Sequence, residues 1–154
     1  MIEVGIIGFG VVGRAIAYTM ENFFDVKKYD KFFNCGNIED VLDADFLFIS
    51  VPTPFDESIG KMDISSVREI LDYLSKKRYN GVVIVKSTLP LGAFDNLNDI
   101  YELELSFNPE FLRESKSPNE DFANQEIIVI GADSSKTFDK VRNMYKIVFS
   151  KSKY

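Results

Sequence analysis

Three glycines near the N-terminus have the spacing of a phosphate-binding turn. Gly8, Gly10 and Gly13 follow apolar positions within residues 2–7 and open an apolar helical pattern at residues 11–23. In such a turn the first glycine permits the bend, the second lets a pyrophosphate approach the backbone, and the third lets the helix pack against the strand. The free N–H groups of the helix N-terminus favour negative charge. The expected phosphate-binding residues are Gly8, Phe9, Gly10, Val11, Val12 and Gly13.

An acidic residue, Asp30, follows the second apolar segment. It lies roughly 20 residues after Gly8, where a dinucleotide fold places the carboxylate that binds the adenosine ribose hydroxyls. A carboxylate there repels a 2′-phosphate, so the spacing favours NAD over NADP. Lys31 is the next residue in the chain. The alternative is an ordinary surface aspartate at the end of a strand.

Two turns that contain proline and hydroxyl residues follow later apolar runs. V-P-T-P at residues 51–54 ends the run that begins at Phe46, and K-S-T at residues 86–88 follows the run at residues 82–85. The carboxyl ends of parallel strands form the ligand-binding edge of a doubly wound sheet. Hydroxyls at that edge can bond a ribose, a phosphate or an activated water. The alternative is a serine-threonine turn that caps the next helix.

A segment with two carboxylates and a guanidinium follows the next predicted strand. It has the sequence N-P-E-F-L-R-E at residues 108–114. The chain has no histidine and a single cysteine, Cys35. Proton chemistry near neutral pH therefore falls to carboxylates, lysines or bound water, and Cys35 is not expected to act as a nucleophile.

The elements that would position these residues alternate between strands and helices. Unbroken apolar runs such as residues 46–51 indicate strands buried on both faces of a parallel sheet. The pattern predicts an α/β fold in one domain, residues 1–154, with a Rossmann-type doubly wound parallel sheet of about six strands and three α/β/α layers. A flavodoxin-like sheet is the alternative; it would use a different phosphate loop and would not require Asp30. Strands are expected at residues 2–7, 25–30, 46–51, 82–85, 102–107 and 126–130, and polar loops at 55–62 and 115–124.

Composition argues against several classes of partner. The chain carries 18 basic and 24 acidic residues for a net charge of −6, without a basic face, which disfavours nucleic acid and anionic membranes. No apolar run approaches the roughly 20 residues of a membrane span and no signal peptide is recognisable, so a cytoplasmic protein is expected. With no histidine and no cysteine pair, no metal site is expected.

Four segments, in this order, resemble the N-terminal domain of the UDP-glucose and GDP-mannose 6-dehydrogenases. They are G-F-G-V-V-G at residues 8–13, V-P-T-P at 51–54, K-S-T-L-P-L-G at 86–92 and F-N-P-E-F-L-R-E at 107–114. Members of this family use NAD to oxidise the C6 hydroxyl of a nucleotide sugar to a carboxylate through aldehyde and thioester stages. The resemblance implies that this chain binds NAD and, in a complete enzyme, a UDP-glucose-like substrate.

The resemblance also implies roles for single residues. Asp30 would bind the adenosine ribose, Thr88 would lie near the reacting centre, and Glu110 would activate or position water during thioester hydrolysis. Thr88 and Glu110 are therefore the expected catalytic residues. Further cofactor contacts are expected from Lys31, Val51, Pro52, Thr53, Ser87 and Glu114, and substrate contacts from Glu110, Phe111, Leu112 and Arg113.

Part of the family pattern has no counterpart in these residues. The family's nucleophilic cysteine, and the lysine and asparagine that stabilise the oxyanion, belong to a central helix and a C-terminal substrate domain that are expected to be absent here, and Cys35 does not match that cysteine. The leading hypothesis is an NAD-binding domain that becomes active when completed by the missing half. One alternative is a non-catalytic NAD-binding or regulatory module that docks onto a full-length dehydrogenase. Another is a domain that keeps the fold without the ligand.

Overall fold

A five-stranded parallel sheet forms the centre of the computed structural model, which describes residues 1–112 and 116–149. Its strands are β1 (Glu3–Ile7), β2 (Asp25–Tyr29), β3 (Phe46–Ile49), β6 (Val82–Val85) and β7 (Glu104–Phe107), and β4 (Phe55–Asp56) and β5 (Lys61–Met62) form a separate antiparallel hairpin. In space the five parallel strands lie in the order β2-β1-β3-β6-β7.

The middle of the sheet is buried because its strands are apolar on both faces. All four residues of β3 and all four of β6 are buried, and the two strands pair in parallel from Phe46 opposite Val82 to Ile49 opposite Val85. Successive side chains alternate between the two faces of a strand. The prediction of doubly buried strands from unbroken apolar runs is therefore confirmed.

Helices cover both faces of this sheet. They are α1 (Val11–Met20), α2 (Ser65–Lys76), α3 (Ala93–Ile100), α4 (Pro118–Ala123) and α5 (Ser135–Val148). Helices α1, α4 and α5 pack on the face that carries Phe46 and Phe48, whereas α2 and α3 pack on the face that carries Leu47 and Ile49. The predicted three-layer arrangement is confirmed. Among the described residues, no helix combines the length and the apolar character needed to cross a membrane.

Side-chain caps begin two of the helical segments. The Asn37 side chain accepts a hydrogen bond from the Glu39 N–H ahead of a short 3₁₀ helix (Ile38–Val41). The Ser134 hydroxyl accepts one from the Thr137 N–H at the start of α5. Asn and Ser are among the residues preferred at this position.

Strand order by itself leaves both predicted fold types open. Numbered along the chain, the five strands lie in the order 2-1-3-4-5, which is the flavodoxin-like order and equally the dinucleotide-binding order without its outer third strand. Where that outer strand could pair with β2, the chain turns back sharply, and Asp30 and Cys35 exchange two backbone hydrogen bonds. The turn after β1 then becomes the feature that separates the two folds.

The prediction of about six strands is wrong by one. Residues 126–130 do not form a strand; Gly131 makes an isolated antiparallel bridge with Phe107. Within this segment Ile128 is buried, whereas Ile127 and Val129 are exposed. The apolar run therefore covers one side of the molecule instead of entering the sheet between two helical layers.

Two predicted loops also contain regular structure. Residues 55–62 form the β4–β5 hairpin, whose strands are too short to show an alternating pattern. Residues 118–123, within the second predicted loop, form α4, which starts at Pro118 and is anchored by the fully buried Phe122. Proline at the first position of a helix is favourable because its missing N–H has no partner there in any case.

Candidate functional site

The glycine turn after β1 leaves no room for side chains at two of its positions. Gly8 adopts a φ of +94°, and a Cβ there would lie 2.5 Å from the carbonyl oxygen of Ser50. A Cβ on Gly13 would lie 2.0 Å from the carbonyl oxygen of Gly8. That oxygen also accepts a hydrogen bond from the Ser50 hydroxyl at 2.8 Å. The first glycine therefore makes the bend, and the third lets α1 pack closely against the turn.

Gly10, the middle glycine, faces open space at the start of α1. No heavy atom other than those of its chain neighbours lies within 4 Å of the position that its Cβ would take. Gly10 is the N-cap residue that precedes α1, and it makes no side-chain cap. The first N–H groups of the helix therefore keep their hydrogen-bonding capacity. The turn thus offers a cradle that a Cβ would partly fill and that a diphosphate fits.

Asp30, at the end of β2, is tied to this turn by backbone hydrogen bonds. Its Oδ2 accepts from the Phe9 N–H at 2.7 Å, and its Oδ1 accepts from the N–H groups of Phe32 and Phe33 at 2.7 and 3.1 Å. Burial acts to raise the pKa of Asp30, but these three donors and the nearby Arg14 outweigh it and hold the pKa below its ordinary value. The carboxylate is therefore ionised and fixed beside the glycine turn.

Two cavities flank the glycine turn at the carboxyl edge of the sheet. The β2 cavity has a volume of about 370 Å³ and the β6 cavity about 490 Å³. Asp30, Phe32, Val51 and Pro52 line both of them, so the two cavities are halves of one cleft. Of the residues predicted at the site, the β2 cavity contains Gly8, Asp30, Lys31, Val51 and Pro52, and the β6 cavity contains Gly10, Val11, Val12, Asp30, Val51, Pro52, Thr53, Ser87, Thr88 and Glu110.

Other predicted residues lie beside the cleft rather than in its walls. Phe9 and Gly13 line neither cavity, although the Phe9 N–H holds Asp30. The Phe111 side chain is exposed and its N–H donates to Oε1 of Glu110 at 2.9 Å, while Leu112 packs against the apolar core. Arg113 and Glu114 lie outside the described residues.

The proline and hydroxyl turns after β3 and β6 hold each other in place. The Ser87 hydroxyl donates to the carbonyl oxygen of Val51 at 2.7 Å and accepts from the Val51 N–H at 3.0 Å. The Thr53 hydroxyl donates to the carbonyl oxygen of Thr88 at 2.7 Å. Ser87 and Thr53 therefore fix the wall of the β6 cavity, whereas the side chain of Thr88 is at an exposed position of that wall.

A buried polar network lies behind the β6 cavity. Nζ of Lys86 contacts Oε2 of Glu110 at 2.8 Å and donates to Oδ1 of Asn108 at 3.1 Å. The same Asn108 oxygen accepts from the Tyr145 hydroxyl on α5, and the Asn108 amide donates to the Val129 carbonyl at 2.6 Å. The Lys86 side chain is 2% exposed and that of Glu110 is 14% exposed. Glu110 is therefore the member of this network that reaches the cleft most openly.

Three members of this network were not identified as functional from the sequence. Lys86 and Asn108 directly precede predicted site residues in the K-S-T and N-P-E segments, and that adjacency was an available sign. Tyr145 lies on the last helix, 37 residues from Asn108. Only the packing of α5 against β7 brings it to the site, so no local pattern could have indicated it.

A parallel sheet with a glycine turn after its first strand, an acid at the end of its second, and a cleft across that edge defines a dinucleotide-binding domain of the dehydrogenase type. Residues 20–149 match the family model described as "UDP-glucose/GDP-mannose dehydrogenase family, NAD binding domain". The chain belongs to this family, and its cofactor is NAD. The matched range begins after the glycine turn, which therefore supports the assignment independently.

The proteins that this chain resembles include nucleotide-sugar dehydrogenases. A UDP-glucose 6-dehydrogenase of Rickettsia bellii is 35% identical over 124 residues, which are 77% of this chain and 27% of that protein. A UDP-D-ManNAc dehydrogenase from Pyrococcus horikoshii superposes with a TM-score of 0.80 at 16% identity, covering 96% of this chain and 45% of the other. A UDP-glucose dehydrogenase from Pyrobaculum islandicum gives a TM-score of 0.77 at 22% identity, with 96% and 44% covered. These structural likenesses establish the Rossmann-type fold over the flavodoxin-like alternative.

Proposed function

We propose that this chain is the NAD-binding part of a nucleotide-sugar 6-dehydrogenase. The complete enzyme would oxidise the C6 hydroxyl of a UDP-glucose-like sugar to a carboxylate. The observation that carries the proposal is the cleft itself, which unites the glycine turn, Asp30, Thr88 and Glu110 at one edge of the sheet. Family membership supplies the class of reaction.

The two cavities suggest how the cofactor would be divided. A dinucleotide fold consists of two mononucleotide-binding halves, so the adenosine would occupy the β2 cavity and the nicotinamide the β6 cavity. The N–H groups at the start of α1 would hold the diphosphate, and Asp30 the adenosine ribose. When bound, the nicotinamide accepts a hydride from the substrate. Lys31, Val51 and Pro52 would shape the adenosine side of the cleft.

Glu110 and Thr88 are the proposed catalytic residues. Glu110 combines a mostly buried carboxylate, an ion pair with Lys86 and an opening to the β6 cavity. A carboxylate fixed in this way can orient or deprotonate a water molecule without help from histidine. Thr88 presents its side chain at the exposed end of the same wall. Phe111 and Leu112, which follow Glu110, would offer backbone groups to the nucleotide sugar.

This chain spans 27% of the length of the R. bellii relative, so its activity depends on parts that are not among these residues. Its single cysteine, Cys35, lies in the turn beside Asp30 and outside the linings of both cavities. We therefore propose that residues 1–154 act as one NAD-binding domain and that a further segment or chain supplies the nucleophilic thiol and the substrate domain. The second candidate, a regulatory NAD-binding module that docks onto a full-length dehydrogenase, is favoured by the same position of Cys35.

A cytoplasmic location, consistent with one unpaired cysteine, remains a prediction.

Calorimetric titration of the chain with NAD and with NADP tests the cofactor assignment. We expect NAD to bind and NADP to bind more weakly. Asp30→Asn is expected to weaken the binding of NAD and to narrow the difference in affinity between NAD and NADP, because the amide no longer repels a 2′-phosphate. The absence of NAD binding at millimolar concentration would contradict the proposal, and an unchanged NAD/NADP ratio in the variant would contradict the role of Asp30.

The two candidate functions differ in what the isolated chain does with substrate. Both predict no NADH formation from UDP-glucose by the chain alone. Only the first predicts that turnover appears when a cysteine-containing substrate domain of this family is added in trans. The regulatory module instead predicts that the chain co-purifies with a full-length dehydrogenase and alters its rate. NADH formation by the chain alone would contradict both candidates.

A further inference from the structure

Lys86 and Glu110 form a nearly buried pair of opposite charges at one end of the cleft. Their Nζ and Oε2 atoms are 2.8 Å apart, and the two side chains are 2% and 14% exposed. Both residues line the β6 cavity together with Ser87 and Thr88. Lone buried charges are costly, so each of the two depends on the other.

Among the described residues, the side chains of Asn108, Tyr145 and Phe122 that surround the Lys86 ammonium are neutral. Asn108 holds the ammonium of Lys86 and is itself held by the Tyr145 hydroxyl and the Val129 carbonyl. Burial, assisted by the Glu110 carboxylate, raises the pKa of Tyr145 well above its usual value, so the phenol stays neutral. Nζ of Lys86 lies over the ring of Phe122, 5.4 Å from the ring centroid. The network thus contains one positive and one negative charge that cannot move apart easily.

The two redox forms of NAD differ by one charge at the nicotinamide, which is positive when oxidised and neutral when reduced. A fixed charge near the ring therefore changes the affinity for NAD⁺ much more than the affinity for NADH. A pair of opposite charges changes neither the affinity for NAD⁺ nor the affinity for NADH greatly, provided that both of its members are present.

We propose that the Lys86–Glu110 pair sets the relative affinity of this domain for NAD⁺ and NADH by cancelling charge beside the nicotinamide. The inference rests on the proposed function, because it places the nicotinamide in the β6 cavity. It makes Lys86 a positioning and charge-balancing residue: Lys86 holds Glu110 toward the cleft and prevents that carboxylate from trapping the oxidised cofactor.

Removal of one charge at a time has opposite effects. Lys86→Met leaves the carboxylate unbalanced, which favours the positive ring and raises the ratio of NAD⁺ affinity to NADH affinity. Glu110→Gln leaves the ammonium unbalanced and lowers that ratio. Each change is expected to be about tenfold, the order of magnitude for one unbalanced unit charge lining the same cavity at an effective dielectric constant of about 20. The double variant is expected to return the ratio to within about twofold of the original.

The test uses the chain itself and measures binding, not turnover. NADH is titrated by its own fluorescence, and NAD⁺ is titrated by displacement of NADH. All titrations are run at pH 6, because burial lowers the pKa of Lys86 while Glu110 opposes that effect, and the ammonium must stay protonated in Glu110→Gln. Lys140→Met, which breaks a Lys–Glu pair with Glu104 outside both cavities, is the matched control and is expected to leave the ratio unchanged.

Opposite shifts in the two single variants, with recovery in the double variant, would support the proposal. Shifts of the same sign, or single-variant ratios within twofold of the original, would overturn it while leaving the proposed NAD site intact. If the unsubstituted chain bound neither form, both the proposed function and this inference would be wrong. Should Lys86→Met fail to fold, Glu110→Gln and the double variant still decide the sign.

Discussion

Gly10 and Gly13 belong to the same motif but have opposite surroundings. A methyl group on Gly13 would lie 2.0 Å from the Gly8 carbonyl oxygen, whereas one on Gly10 would meet nothing within 4 Å. We expect Gly13→Ala to lower the free energy of unfolding by about 3 kcal/mol, as overpacked positions do. Gly10→Ala is expected to leave stability nearly unchanged and to weaken NAD binding. Urea unfolding and NAD titration of the two variants, side by side, measure both effects; equal loss of stability would contradict the assignment.

Asp30 predicts a pH dependence of stability. Its pKa is lower in the folded chain than its ordinary value, so its stabilising effect is fully present above the unfolded pKa of about 3.9 and is lost as the pH falls through the folded pKa. We expect Asp30→Asn to lower the free energy of unfolding by on the order of 1–3 kcal/mol at pH 7. That difference should shrink below about pH 4.

Urea unfolding between pH 3 and pH 7 checks this expectation. Asp99→Asn, at an exposed position of α3, is the control for a general change in charge. A stability difference between Asp30→Asn and the unsubstituted chain that stays constant over the whole range would mean that the carboxylate hydrogen bonds do not favour the ionised form.

At the scale of elements, helix α5 carries Tyr145 to the site and depends on its cap. The Ser134 hydroxyl accepts a hydrogen bond from the Thr137 N–H, and Ser135 begins the helix without being the cap. Ser134→Ala is expected to lower the free energy of unfolding by about 1 kcal/mol. Ser135→Ala should change it little. Chemical denaturation followed by circular dichroism separates the two variants, and equal effects would refute the cap.

The elements that the sequence predicted well are those with a long, one-sided pattern. Strands β3 and β6 followed from unbroken apolar runs, because this pattern matches the geometry of a strand buried on both faces. The apolar run at residues 126–130 has the same composition as a strand. Whether such a run pairs depends on the neighbouring edge, where Gly131 bridges Phe107, and no local pattern encodes that edge.

Short elements escaped prediction for a different reason. The strands of the β4–β5 hairpin have two residues each and α4 has six. At these lengths neither period can be recognised, and polar composition favours a loop. The buried Phe122 fixes α4 through tertiary packing, which becomes visible only when the sheet is in place.

At the scale of the whole molecule, the two halves of the cleft predict that the cofactor stabilises the entire domain. The glycine turn, β2, β3 and β6 all contribute walls, so NAD binds the folded chain and not the unfolded one. At a free NAD concentration 100 times the Kd, the gain is about 2.7 kcal/mol, which corresponds to a rise in Tm of roughly 5–10 °C for a chain of this size. Differential scanning fluorimetry measures it, with NADP as the weaker comparison. A Tm independent of NAD would contradict the cleft as a cofactor site.

The part of the candidate site whose residues lie at fixed intervals along the chain was predictable. The three glycines and Asp30 came from fixed intervals along the chain, and Gly8, Gly10 and Asp30 line the cleft. Lys86, Asn108 and Tyr145 form a network across β6, β7 and α5, so their relation exists only after the layers have packed. Sequence distance hides such a relation, even when two of its members directly precede predicted residues.

The hydrogen bond between Asn108 and Tyr145 can form during protein synthesis only after α5 has left the ribosome. These residues are 37 positions apart, and chains elongate at about 5–20 residues per second. The glycine turn and Asp30 leave the ribosome early, but the support behind Lys86 is missing for some further seconds until α5 emerges. A nascent chain can therefore present its glycine turn before the wall of the β6 cavity is fixed.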